Sequence, residues 1–112
     1  MRVIPLMLLF MICFAFIAIG QESEYVFRVQ IAASAKPISK SNKIYKDFED
    51  ASEIWFEDGY YRYFVGEYES YHEAGLRLEK VKSKGYKGAY PICIHDGKRL
   101  TVDEAIMLMY GE

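Results

Sequence analysis

Apolar and polar positions alternate along residues 25–33. Phe27, Val29 and Ile31 fall on one side; Val26, Arg28, Gln30 and Ala32 fall on the other. This two-residue period predicts a strand with one face in the core. The pattern breaks over Ser34–Asn42, where Pro37, three serines and two lysines predict a loop. Ile44, Tyr45 and Phe48 then fit a helical turn within Lys43–Asp50. Residues 53–66 read as a hairpin about Asp58-Gly59, a dipeptide suited to a two-residue turn with φ > 0 at both positions. Such a turn sets Trp55 opposite Arg62 and Phe56 opposite Tyr61, and opposed residues share a face. Ile54, Phe56, Tyr61, Tyr63 and Val65 then form the core side. Glu53, Trp55, Glu57, Tyr60, Arg62 and Phe64 form the other.

Ser70, with Glu73 three residues later, is a capping box that opens a helix reaching about Lys84, with Gly85 placed to end it. Its predicted buried stripe is Tyr71, Ala74, Leu78 and Val81, and Lys80, Lys82 and Lys84 complement its carboxyl end. Ala89–His95 is a further strand, whose inward side lies with either Tyr90, Ile92 and Ile94 or Ala89 and Cys93. Asp96-Gly97 turns the chain. Thr101 and Glu104 make a second capping box before a short helix, with Val102, Ala105, Ile106 and Met109 as its apolar side. The order predicts an α+β fold, a split β-α-β (ferredoxin/RNP-like) arrangement. Its four-stranded antiparallel sheet carries helices on one face, leaves the other open, and makes the first and third strands central neighbours.

The first twenty residues follow a different pattern. One charge, Arg2, precedes 17 uncharged, mostly apolar residues from Val3 to Ile19; Ala18-Ile19-Gly20 is a small-residue cleavage pattern before polar Gln21. Residues 1–20 are therefore expected to be a secretory signal peptide cleaved after Gly20, leaving 21–112 as one domain. The competing reading is an uncleaved anchor, since the run sits at the short end of a spanning helix.

The mature segment carries 13 basic and 16 acidic residues, which argues against nucleic acid as partner. Cys93 is its only cysteine, so no internal disulfide is available, and Ile92 and Ile94 beside it predict a buried thiol. All ten tyrosines lie beyond residue 24. That number points to several at the surface, with ring faces free for a ligand or hydroxyls reaching water. His72 and His95 fit no metal spacing and read as exposed. No nucleophile elbow, base-paired cysteine or glycine-rich phosphate loop is present, so neither an enzyme nor a cofactor is expected.

Two segments resemble the sporulation-related repeat (SPOR) domain of bacterial envelope proteins. Phe27-Arg28-Val29-Gln30-Ile31-Ala32-Ala33-Ser34 is similar to the family's opening strand. Tyr61-Arg62-Tyr63-Phe64-Val65-Gly66-Glu67-Tyr68-Glu69-Ser70-Tyr71-His72-Glu73-Ala74 is similar to its strand-to-helix junction. Lys84-Gly85-Tyr86 with Ala89 resembles the approach to its last strand. Asp96-Gly97-Lys98-Arg99 and the long loop after the first strand resemble the Bacteroidetes-type subgroup. Ala33 stands where the family often has Ser, with Ser34 one position later. The resemblance implies a periplasmic, non-catalytic module that binds peptidoglycan glycan strands stripped of stem peptides, at the division septum, through the open sheet face.

The face assignment places Arg28, Gln30, Trp55, Tyr60 and Arg62 together, and Ser34 joins them as a candidate through the first-strand motif. Sugar C–H faces stack on aromatic rings, acetamido groups exchange hydrogen bonds with an amide, and a lactyl carboxylate pairs with Arg. A cation–π pair between Trp55 and Arg62 with no ligand is the structural alternative. An envelope protein partner on the same face is the second functional reading. RNA on an aromatic sheet is the third, opposed by charge and the export signal. Once the signal is cleaved, no membrane span is expected.

Overall fold

The computed structural model describes residues 24–111, so the expected signal segment lies outside the described residues. Among these, five strands and three helices form an α+β domain: β1 (Tyr25–Ser34), α1 (Lys43–Asp47), β2 (Ser52–Trp55), β3 (Tyr61–Tyr68), α2 (Tyr71–Ser83), β4 (Tyr90–His95), β5 (Lys98–Leu100) and α3 (Val102–Tyr110). One antiparallel sheet runs in the order β2-β3-β1-β4-β5. Strand β5 adds a fifth member to the expected four. It forms because Asp96 and Gly97 take φ of 55° and 77°, a two-residue turn that returns Lys98 opposite His95.

The first Asp-Gly works differently. Gly59 has φ 92°, and no positive φ occurs at Asp58. The Phe56 N–H donates to Tyr60 O, and the Gly59 N–H donates to Phe56 O. The loop therefore holds three residues, a type I turn closed by a left-handed glycine. The extra residue slips the register by one. Trp55 pairs with Tyr61 and Ile54 with Arg62, instead of Trp55 with Arg62 and Ile54 with Tyr63. A one-residue slip exchanges the faces of every side chain on β2.

Phe27, Val29 and Val65 from the sheet pack against Ala74 and Val81 of α2, Ala105 of α3, and Phe48. The α2 stripe holds at Ala74, Leu78 and Val81, but Tyr71 is 51% exposed, since the first turn projects beyond the sheet. On α3, Ala105 is buried and Ile106 exposed. Cys93 is buried on the helix side, opposite Phe27, and burial pushes its thiol pKa up. Ile92 points the other way and is equally buried. The inward side of β4 is thus both sides.

Strand β3 bulges between Val65 and Tyr68, opposite Arg28. Gly66 takes φ 77° there, and a Cβ on it would meet the Tyr68 ring at 2.2 Å. A clamp fixes the bulge. The Gly66 N–H donates to Asp50 Oδ2 at 2.9 Å, and Arg77 of α2 grips the same carboxylate with both terminal nitrogens, at 2.9 and 2.8 Å. Arg77 also donates to the Tyr68 hydroxyl. The loop before α1 is held by buried Tyr63, whose hydroxyl accepts from the Ile38 N–H and donates to Glu53. Burial and that carboxylate push the Tyr63 phenol to about 12.

Candidate functional site

Strand alternation brings Arg28 and Gln30 to the side away from the helices. Cross-strand pairing adds Tyr90 opposite Gln30, Ile92 opposite Arg28, and Phe64 opposite Gln30 on the other neighbour. The slipped β2 register sends Ile54 and Phe56 to this side, with Arg62. The face was expected to be open, yet Phe64 and Ile92 are buried, and Arg28 and Gln30 are only 8% and 6% exposed. Phe56 lies edge-on to Phe64, and Arg28 lies over the Phe64 ring at 5.4 Å. These aromatics roof one another, so both faces of the sheet are packed; each fully buried side chain of this size is worth about 1.5–3 kcal/mol.

What stays accessible is a groove of about 790 Å³ between the two hairpin ends. Trp55, Phe56, Glu57, Asp58 and Arg62 line one wall, and residues 96–100 line the other. The hairpins belong to opposite margins of the sheet, so the sheet curls to bring them together. Arg99 is close enough to Asp58 to help hold its carboxyl below the usual range, although Arg62 does most of this. Arg62 grips Asp58 with two hydrogen bonds, at 3.1 and 2.8 Å, and lies over the Phe56 and Tyr60 rings. Arg99 reaches inward: its Nε donates to Gln30 Oε1 at 2.8 Å, and its Nη2 donates to the Tyr90 hydroxyl. The guanidinium is thus held by two neutral oxygens.

Arg28 sits deeper. Its Nε donates to the Gly66 carbonyl at 2.7 Å, and burial lowers its pKa against the opposing pull of Glu67 and Asp50. It is a wall of the bulge, covered rather than offered to a ligand.

Compared with known proteins, the chain matches no family model, no curated protein and no solved structure. The candidate site is therefore argued from its own residues. Of the six side chains singled out in the sequence, Gln30, Arg62 and Tyr60 meet on the groove side, and Arg28 lies beneath it. Trp55 is turned to the Tyr61 side by the slipped register, yet still borders the groove and is 55% exposed. Ser34 is not part of it. The chain adds a residue, Ile31, between the pairs Gln30–Phe64 and Ala32–Tyr63, so Ser34 pairs with Tyr61 and Ala33 takes the place opposite Arg62. The Ser34 hydroxyl instead accepts from the Lys36 N–H.

Sequence reasoning missed Arg99, Tyr90 and Phe56. Arg99 depends on β5, three residues long and too short to show a period. A signal for it was present all the same, because Asp96-Gly97 is a two-residue turn that demands a return strand. His95 is also not idle: its ring stacks on Tyr25 at 3.7 Å, and Nδ1 contacts Glu24 O at 3.0 Å.

Proposed function

We propose that the protein is a non-catalytic peptidoglycan-binding module of the bacterial envelope, taking glycan strands stripped of their stem peptides in the groove between the two hairpins. One observation carries the reading. Gln30, Tyr90, Arg99 and Arg62 converge beside aromatic rings in a trough that is open along its length. An N-acetylated sugar chain asks for this combination: ring faces for C–H contacts, an amide and phenol for acetamido groups, and a cation for a lactyl carboxylate. Stem peptides would add bulk and charge to a trough only as wide as its two walls allow. The four strands β1 to β4 with α2 fit a split β-α-β plan, to which β5 and α3 are additions. Export through the residue 1–20 signal, followed by residence in the periplasm, is part of the same proposal.

The test is co-sedimentation with purified sacculi before and after amidase treatment. Binding that rises when stem peptides are removed supports the proposal. Equal binding to intact and stripped sacculi, or none to either, overturns it, and no binding at all favours an envelope protein as the occupant of the groove.

A further inference from the structure

The carboxyl-terminal helix α3 has an outer face that the fold leaves uncovered. Its inner side is Val102, Ala105 and Met109, with Ala105 buried against Phe27 and Cys93. Beyond the first turn, however, the remaining positions are apolar as well. Met107, Leu108 and Tyr110 are 68%, 59% and 75% exposed, and Ile106 is 39% exposed. A helix at a water boundary carries polar residues outward, and one apolar all round is covered on every side. Apolar troughs run along both flanks of α3, one with Leu100, Met107 and Leu108, the other with Tyr71, Ile106 and Tyr110.

The path of the chain identifies the cover. Tyr25, where β1 begins, and Met109 pack on the same cluster, so the amino-terminal entry to the domain lies beside α3. The 17-residue uncharged run ends at Ile19, with five residues between it and Tyr25. At roughly 3.3–3.6 Å per extended residue, those five span at most about 20 Å. A membrane holding that run therefore lies within reach of α3. A second copy of the chain is a poor cover. In α3 the charged residues are Asp103 and Glu104, both in its first turn, with no base in its last. An antiparallel partner would set them against the negative end of its own helix, and a parallel partner would set acid on acid.

We propose that the outer face of α3 lies on the surface of a lipid bilayer, with Met107, Leu108 and Tyr110 in the headgroup boundary. At nine residues the helix rests in the interface; among the described residues no helix is long and apolar enough to cross a membrane. Without basic residues on α3 to attract acidic lipid, contact rests on apolar area, so zwitterionic lipid suffices.

The test uses the full-length chain, inserted into phosphatidylcholine nanodiscs by cell-free synthesis with methyl-labelled methionine. Its five methionines are Met1, Met7, Met11, Met107 and Met109. With a spin label at the lipid headgroup level, the Met107 methyl resonance should broaden several-fold more than that of inward-facing Met109. The double variant Met107→Glu/Leu108→Glu should lose contrast at position 110, read from the Tyr110 ring. Equal, weak broadening of Met107 and Met109 overturns the proposal, because a tether alone would then bring the domain near. A Met107 shift that appears without lipid and grows with protein concentration also overturns it, in favour of self-association.

Discussion

Arg99 both closes the groove floor and charges it. It satisfies the amide oxygen of buried Gln30, and its own hydrogen bonds leave its charge unneutralised, whereas Arg62 is matched to Asp58 by two hydrogen bonds. Arg99 is accordingly the better cation for a ligand carboxylate. Arg99→Ala should reduce binding to stripped sacculi about tenfold, on the order of one charge-assisted hydrogen bond. It should cost at most about 1–3 kcal/mol of stability, through the orphaned Gln30 amide. Arg99→Lys keeps the charge but not the planar fork, and should recover only part of the binding. Both are read by sacculus titration beside thermal melts; full binding by Arg99→Ala would remove it from the site. Gln30→Ala is a poorer probe than the alternation of β1 implies. At 6% exposure the side chain is packed, so binding and folding would fall together. Trp55→Ala should leave the melt nearly unchanged, since Trp55 is more than half exposed, while weakening glycan binding. Unaltered binding would confine the ligand to the Arg99 side.

At the scale of elements, the two Asp-Gly turns show what local sequence decides and what it leaves open. Asp96 accepts a left-handed φ and makes a two-residue turn; Asp58 does not, and makes a three-residue one. In the second case the Asp58 carboxylate accepts the Tyr60 N–H and both Arg62 nitrogens, contacts that hold the longer loop. Strand existence, both capping boxes and Cys93 burial were legible because each rests on neighbouring residues. The β2 register was not, because it depends on a side chain closing its own turn. The clamp at Asp50 was invisible for a similar reason: it joins residues 50, 66 and 77, with no common period. Arg77 holds the Asp50 carboxyl below its usual range. A depressed carboxyl contributes stability that is complete above the unfolded value near ~3.9 and is lost as pH falls through the lower folded value. The carboxylate is half exposed, so water screens the pair and Asp50→Asn should cost only about 1 kcal/mol at pH 7. The gap between wild-type and variant melting curves should close towards pH 2. A gap independent of pH would mean that the carboxylate charge is irrelevant to the clamp.

For the molecule as a whole, the fold class and the pairing of β1 with β3 followed from alternation and caps. The closed groove did not, because it arises from sheet curvature that brings residues 55–58 beside residues 96–100. That curvature has a consequence for orientation. The groove lies on one side of the sheet and α3 on the other, and they touch only at Leu100, which borders both. A domain resting on a bilayer through α3 would hold the groove outward, towards the wall. Lipid and glycan should then bind together, with little coupling, since neither displaces the other's contacts. Nanodisc-bound protein should take up soluble stripped glycan with an affinity within about threefold of the lipid-free value, a coupling below about 1 kcal/mol. Met107→Glu should leave the glycan titration unchanged, and Arg99→Ala should leave the lipid-induced broadening unchanged. Competition between the two ligands would show that Leu100 transmits strain across the β5 edge, and would make α3 a regulator of the groove instead of an independent support.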